Sequence, residues 1–178
     1  ATFNVSERFG IHTEYQWRRD DYVEQWQQGL LRVGVDYKLN PDALFRFGYA
    51  WAETYPYGDI PINGMGKDFS EHRIYEMVQL NQKISTLSIS HRFMLEQRWV
   101  GRYTSATLTS EDDWVYTNRL RYMARLQLPV YKKWYVAAYD ELFIGFGKNI
   151  GENIFDQNRL GLLVGYPITK NFRVEGGY

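Results

Sequence analysis

QQGLLRVGVDYKLNPDALFRFGYAWAE, residues 27–53, reads as two strands joined by a tight turn at residues 39–43. In the first strand Leu31, Val33, Val35, Tyr37 and Leu39 share one parity, and Gln28, Arg32, Gly34, Asp36 and Lys38 share the other. In the second, Phe45, Phe47, Tyr49 and Trp51 alternate with Arg46, Gly48, Ala50 and Ala52. Successive side chains of a strand point to opposite faces, so one face is bulky and apolar and the other small or charged. A soluble barrel or sandwich would turn the bulky face to a core. An outer-membrane barrel inverts the assignment, with the apolar band against lipid and the charges inside. Alternation by itself does not choose between the two.

Working outward, residues 1–5 read as the tail of a strand, and residues 9–18 as a strand with Phe9, Ile11, Thr13, Tyr15 and Trp17 on one face. After a long Pro/Gly/Asp-bearing loop at 54–70, residues 71–82 form a strand of mixed parity. A turn near Lys83 leads to a strand at 85–100, and a polar loop at 101–113 to another at 114–128. Residues 129–133, beginning with Pro129, make a short turn before a strand at 134–146. A Gly/Asn loop precedes the last hairpin, 155–166 and 171–178, which turns at 168–170.

Turns therefore alternate short and long, as expected when short turns gather at the periplasmic end of a barrel. Several segments exceed the ~9–11 residues that cross a bilayer with tilt. Trp17, Trp51 and Trp99 fall on the outward parity near the long loops, where an aromatic belt belongs. The expected fold is all-β: an antiparallel up-and-down transmembrane β-barrel of about ten strands, one domain over residues 1–178, incomplete at both chain ends.

Composition narrows the functions. Lys+Arg and Asp+Glu number 21 each, so no net basic field invites nucleic acid. There is no cysteine, which excludes disulfides, thiolate catalysis and Cys-ligated metal. The mean hydropathy of −0.50 does not argue against a membrane, because alternating strands average out.

The charged parity would line the interior: Glu14, Arg18, Arg32, Asp36, Arg46, Arg92, Glu96, Arg98, Arg119, Arg121, Arg125, Glu141 and Arg159, continued by Arg173 and Glu175. Arginine exceeds carboxylate. One reading is a plug of Arg–carboxylate bridges, since the planar guanidinium grips carboxylates with two bonds and small barrels are filled by side chains. The other is a cationic eyelet, hence a narrow anion-selective channel. A lipid-modifying enzyme is the third candidate, with His12, His72 or His91 as base and Glu71-His72 with Glu96 as its least unattractive constellation. No Gly-x-Ser-x-Gly stretch supports it, and we expect no catalytic site. We expect no metal and no cofactor; the acidic run at 111–113 reads as a solvated loop.

The outward parity is less clean from residue 71 to 142, where His91, Gln97 and Asn118, with Glu76 and Asp140, interrupt the apolar face. Either β-bulges shift the parity or this wall faces a protein partner rather than outer-membrane lipid.

Seven blocks carry a family resemblance: HTEYQWR (12–18), FRFGYAWAE (45–53), EHRIYE (71–76), SHRFMLEQRW (90–99), NRLRYMARLQLP (118–129), AAYDELFIGFGKNIG (137–151) and FDQNRLGLLVGYPITKNFRVEGGY (155–178). They resemble domain-of-unknown-function family 2490, a bacterial family. The resemblance implies an outer-membrane barrel and supplies no activity. The functional expectation is therefore a structural or accessory barrel in the bacterial outer membrane, as a subunit of a larger envelope complex or alone.

Overall fold

Period-2 alternation, sustained by β-branched and aromatic residues, commits nearly the whole chain to extended structure. The computed structural model describes residues 1–20, 24–56, 65–152, 154–169 and 172–178. They form β1 (Thr2–Asn4), β2 (Phe9–Asp20), β3 (Gln25–Asn40), β4 (Ala43–Thr54), β5 (Phe69–Ile84), β6 (Leu87–Arg102), β7 (Asp113–Tyr131), β8 (Trp134–Phe146), β9 (Phe155–Pro167) and β10 (Arg173–Gly177). The strands pair in chain order as one 10-stranded sheet, each antiparallel to its neighbours. The sheet curls, so that one face is concave.

The expected strand number and topology are present; among the described residues no ladder closes the sheet. β1 pairs only with Gly10–His12 of β2, and β10 only with Leu163–Pro167 of β9. The two do not pair with each other, so the curled sheet has open edges among the described residues. Closure requires a ladder between first and last strands, a long-range pairing that alternation does not encode.

Side-chain chemistry makes most short turns. The Asn40 carboxamide accepts from the Asp42 amide at 2.9 Å, closing the turn at Pro41 and Asp42. Ser85 and Lys132 take positive φ at the next two turns. The turn expected near Lys83 thus lies at Ser85 and Thr86. Pro129 does not begin a turn: β7 runs through it to Tyr131, and a register shift between Pro129 and Tyr131 absorbs the missing N–H. Lys170 of the last turn, and residues 57–64 of the loop expected at 54–70, lie outside the described residues.

Between Glu71↔Val100 and Ile84↔Leu87 the β5–β6 register has no shift, nor has β6–β7 from Ser88↔Gln127 to Arg102↔Asp113. Shifts occur only near strand ends, such as Arg18/Arg19 and Phe143/Ile144. The bulge explanation for His91, Gln97 and Asn118 therefore fails. They lie on the convex face, and so do Glu76 and Asp140.

The burial of the two faces is inverted relative to a soluble protein. Leu31, Val35 and Phe47 are 42–52% exposed, while Arg32 is 4% and Glu96 0% exposed. Convex aromatics follow the register in one row, Trp51↔His72↔Trp99↔Tyr116. Concave aromatics use a different device. Tyr75, Tyr139 and Tyr135 lie directly opposite Gly48, Gly161 and Gly165 on neighbouring strands. A Cβ on those glycines would sit 2.6, 2.3 and 2.2 Å from the facing ring. Each tyrosine thus lies flat over a glycine, and the glycine's absent side chain is the socket.

Candidate functional site

Arginines and carboxylates from β2 to β10 meet inside the curve because every second residue of each strand points there. Glu96 is the hub. It accepts from Arg119 Nε at 2.8 Å and Arg121 Nη1 at 3.0 Å, with Arg73 at 3.7 Å and Arg32 at 3.9 Å. Glu71 receives a two-pronged bond from Arg73 at 2.8 and 2.7 Å and another from Arg98. Glu141 holds Arg121 at 2.6 Å and Arg92 at 2.8 Å. Glu14 takes Arg32 at 3.3 Å, and the Asp36 carboxylate binds Arg46 through two bonds. Near β10, Glu175 links Arg125 to the Tyr135 hydroxyl.

These bonds join most of the interior charges into one continuous network. Removing one partner of such a buried pair typically costs ~3–5 kcal/mol, because the other charge is left unpaired.

The network divides the interior. On the long-loop side lies a cavity of about 600 Å³ lined by Arg18, Arg32, Glu71, Arg73, Arg98, Arg119, Arg121, Asp156 and Arg159. On the short-turn side lies one of about 700 Å³ bordered by Asp42, Gln79, Asn81, Arg125, Arg173 and Glu175. Between them sit the packed cluster of Ala50, Tyr75, Met77 and Met94 and the Arg92–Glu141–Arg121 bridges. Arg119, Arg121 and Arg159 also stack on the buried Phe143 ring, with guanidinium carbons 4.7–5.3 Å from its centroid.

All thirteen charges read from the sequence as interior, from Glu14 to Arg159, lie on the concave side. Three further members of the network were not among them. Glu71 and Arg73 belong to β5, whose concave parity also carries Tyr75 and Met77, so polarity alternation is blurred there. Asp156 shares the alternation of the convex Asn158, but the shift opposite it lets its carboxylate reach Arg119 at 3.1 Å.

The Glu71-His72-Glu96 constellation does not assemble. Glu71 and Glu96 are concave, whereas His72 is convex, bonded to the Tyr49 hydroxyl at 2.5 Å and packed on Trp114. His12 contacts Glu14 at 3.4 Å and the Thr2 hydroxyl at 3.1 Å. His91 bonds to the Tyr122 hydroxyl at 2.9 Å on the convex face. No three His, Cys, Asp or Glu side chains converge as metal ligands among the described residues.

The other convex polar groups find partners within the wall, except that the buried Gln97 Oε1 has none. Gln97 donates to Glu76 at 3.2 Å, Tyr116 to Asn118 at 2.7 Å, and Asn158 to Asp140 at 2.6 Å.

Two long loops clasp each other above the cavity. The Ser70 amide donates to Glu111 at 2.7 Å, and Tyr103 to the Asp68 carbonyl at 2.8 Å. Burial raises the Glu111 pKa, but the Ser70 bond outweighs it and holds the carboxyl below its ordinary value. Thr104 bonds hold Asp112 low in the same way, so this acidic run is engaged in loop structure.

Across residues 1–178 the chain matches the model of a family described as "Protein of unknown function (DUF2490)". No curated protein and no solved structure matches it.

Proposed function

We propose that this chain, which belongs to the DUF2490 family, is an integral outer-membrane β-barrel with a structural or accessory role and a plugged interior. The observation that carries the reading is the inverted wall: apolar side chains exposed on the convex face, buried ion pairs on the concave one. Water would penalise so large an apolar surface, and lipid would not. β3, β5, β6 and β7 run 16–19 residues, enough to cross the ~30 Å hydrocarbon layer with tilt. The convex aromatic row fits an interfacial belt. Fractionation of native envelopes tests the location. The chain should sediment with outer membranes, resist alkaline carbonate and enter solution only with detergent; recovery in the aqueous fraction would remove the reading.

A plug speaks against conduction. The packed cluster and the bridges around Glu141 occupy the concave side at mid-height, which supports the plug, and planar-bilayer recordings should then show no steady conductance. An anion-selective current would revive the channel reading. The accessory role is tested by gentle detergent extraction and native-size analysis. A discrete species larger than the 21.2 kDa chain in its micelle supports it. Exchanging Gln97 and Asn118 for Leu should shrink that species without unfolding the chain.

A further inference from the structure

We propose that the interior cavity on the long-loop side binds a phosphate-type dianion, and that Arg18 and Arg159 are the cations that select it. The inference goes beyond the membrane and accessory reading and stands without it, because it concerns the concave side alone.

The other arginines there have carboxylate partners. Arg73 and Arg98 share Glu71, and Arg119 is divided between Glu96 and Asp156. Arg18 has only amides, and Arg159 has an amide and the Phe143 ring. Arg18 donates to Gln16 at 2.8 Å and Gln28 at 3.0 Å, and Arg159 donates to Gln157 at 2.9 Å. Neither reaches a carboxylate within salt-bridge distance among the described residues. Glu141 faces Arg159 directly in the β8–β9 register, yet it is turned to Arg92 and Arg121. The cationic heads of Arg18 and Arg159 line the same cavity, and like charges that share such a space repel each other. Arg32, in the same cavity wall, keeps a buried Nε–H without a partner.

Two cations without a carboxylate partner in one polar cavity are costly, and a bound dianion would pair with both. A phosphomonoester carries about −1.5 to −2 charge at pH 7 and three acceptor oxygens. Its geometry suits two planar guanidinium forks, each keeping an N–H for its glutamine. A cavity of about 600 Å³ accommodates the phosphate group with part of its ester. A soluble phosphate ester and a lipid phosphate headgroup present the same chemistry, and the probes separate them.

The full chain, purified in uncharged detergent at constant ionic strength, is titrated with glycerol 3-phosphate and, separately, with phosphatidic acid mixed into the micelles. Heat of binding and the thermal midpoint are read. At least one probe should bind and raise the midpoint, while chloride at equal ionic strength should not. A response to phosphatidic acid alone assigns a lipid headgroup; a response to glycerol 3-phosphate assigns a free ester. The double variant Arg18→Gln with Arg159→Gln should weaken binding by about 10-fold or more per arginine. It should also raise the midpoint without ligand, since a like-charge repulsion is removed. Lys83→Gln, beside the other cavity, should bind as the parent does. If the double variant does not fold, Arg159→Gln alone gives the same reading. The proposal is overturned if neither probe binds, if chloride acts equally, or if the arginine variant binds like the parent.

Discussion

Replacing Gly165 by alanine will expel Tyr135 from its socket. The new Cβ would lie 2.2 Å from Tyr135 Cζ, so the ring must move by more than 1 Å. That ring is 5% exposed, and its hydroxyl donates to Glu175 at 2.7 Å. Glu175 in turn holds Arg125, so the strain reaches β7, β8 and β10 together. Overpacking of this kind costs ~1–3 kcal/mol. Losing a hydrogen bond to a charged group adds ~1.5–3 kcal/mol. Stiffening the unfolded chain returns ~0.4–1 kcal/mol. The net expectation is a loss of roughly 2–5 kcal/mol. Denaturant titration of the refolded chain in micelles, followed by tryptophan fluorescence, measures it: the midpoint should fall while the slope stays constant. A double-mutant cycle isolates the cause. In a Tyr135→Ala background the alanine at 165 should cost less than ~0.5 kcal/mol. Gly151→Ala, where a Cβ meets nothing within 4 Å, should be near neutral throughout. Equal costs with and without the tyrosine ring would refute the socket.

Other perturbations separate the remaining claims. Glu96→Gln keeps the side chain's shape but leaves four arginines without their shared charge, and should cost ~3–5 kcal/mol in the same titration. Val33→Arg tests what the convex face meets: folding into vesicles should lose ~2–4 kcal/mol if lipid covers it mid-membrane, against less than ~0.5 kcal/mol for a water-facing site. The loop clasp should be acid-labile. Because the folded Glu111 pKa lies below the ordinary value of 4.5, the clasp is intact above 4.5 and is lost as pH falls through the folded value. The protection of the Ser70 amide relative to its intrinsic exchange rate should fall over that range, and Glu111→Gln should abolish most of that pH dependence of protection.

Much of this arrangement could be read one strand at a time. Arg32 and Asp36 against Leu31 and Val35 announce their faces by parity alone, and so do Arg119 and Arg121 against Leu120. The five breaks in the convex pattern were equally visible, and an uninterrupted register shows that they are real. Reading failed where a strand carries bulky residues on both faces, as in β5, or where a shift in pairing redirects a side chain, as at Asp156. It also failed at Pro129, whose turn signal yields to a bulge within β7.

Alternation is a local property with period two, so the sequence by itself determined the β class, the strand order, the facing of the charges and the position of most turns. Which residues meet across strands is set by register, and which meet across the interior is set by curvature. Both are long-range. Only the tertiary structure could seat Tyr75 on Gly48, gather four arginines around Glu96 and, among the described residues, leave Arg18 and Arg159 without a carboxylate. The open edges between β1 and β10 have the same origin: pairing the ends of a sheet depends on how far the whole sheet curls, which no single strand specifies.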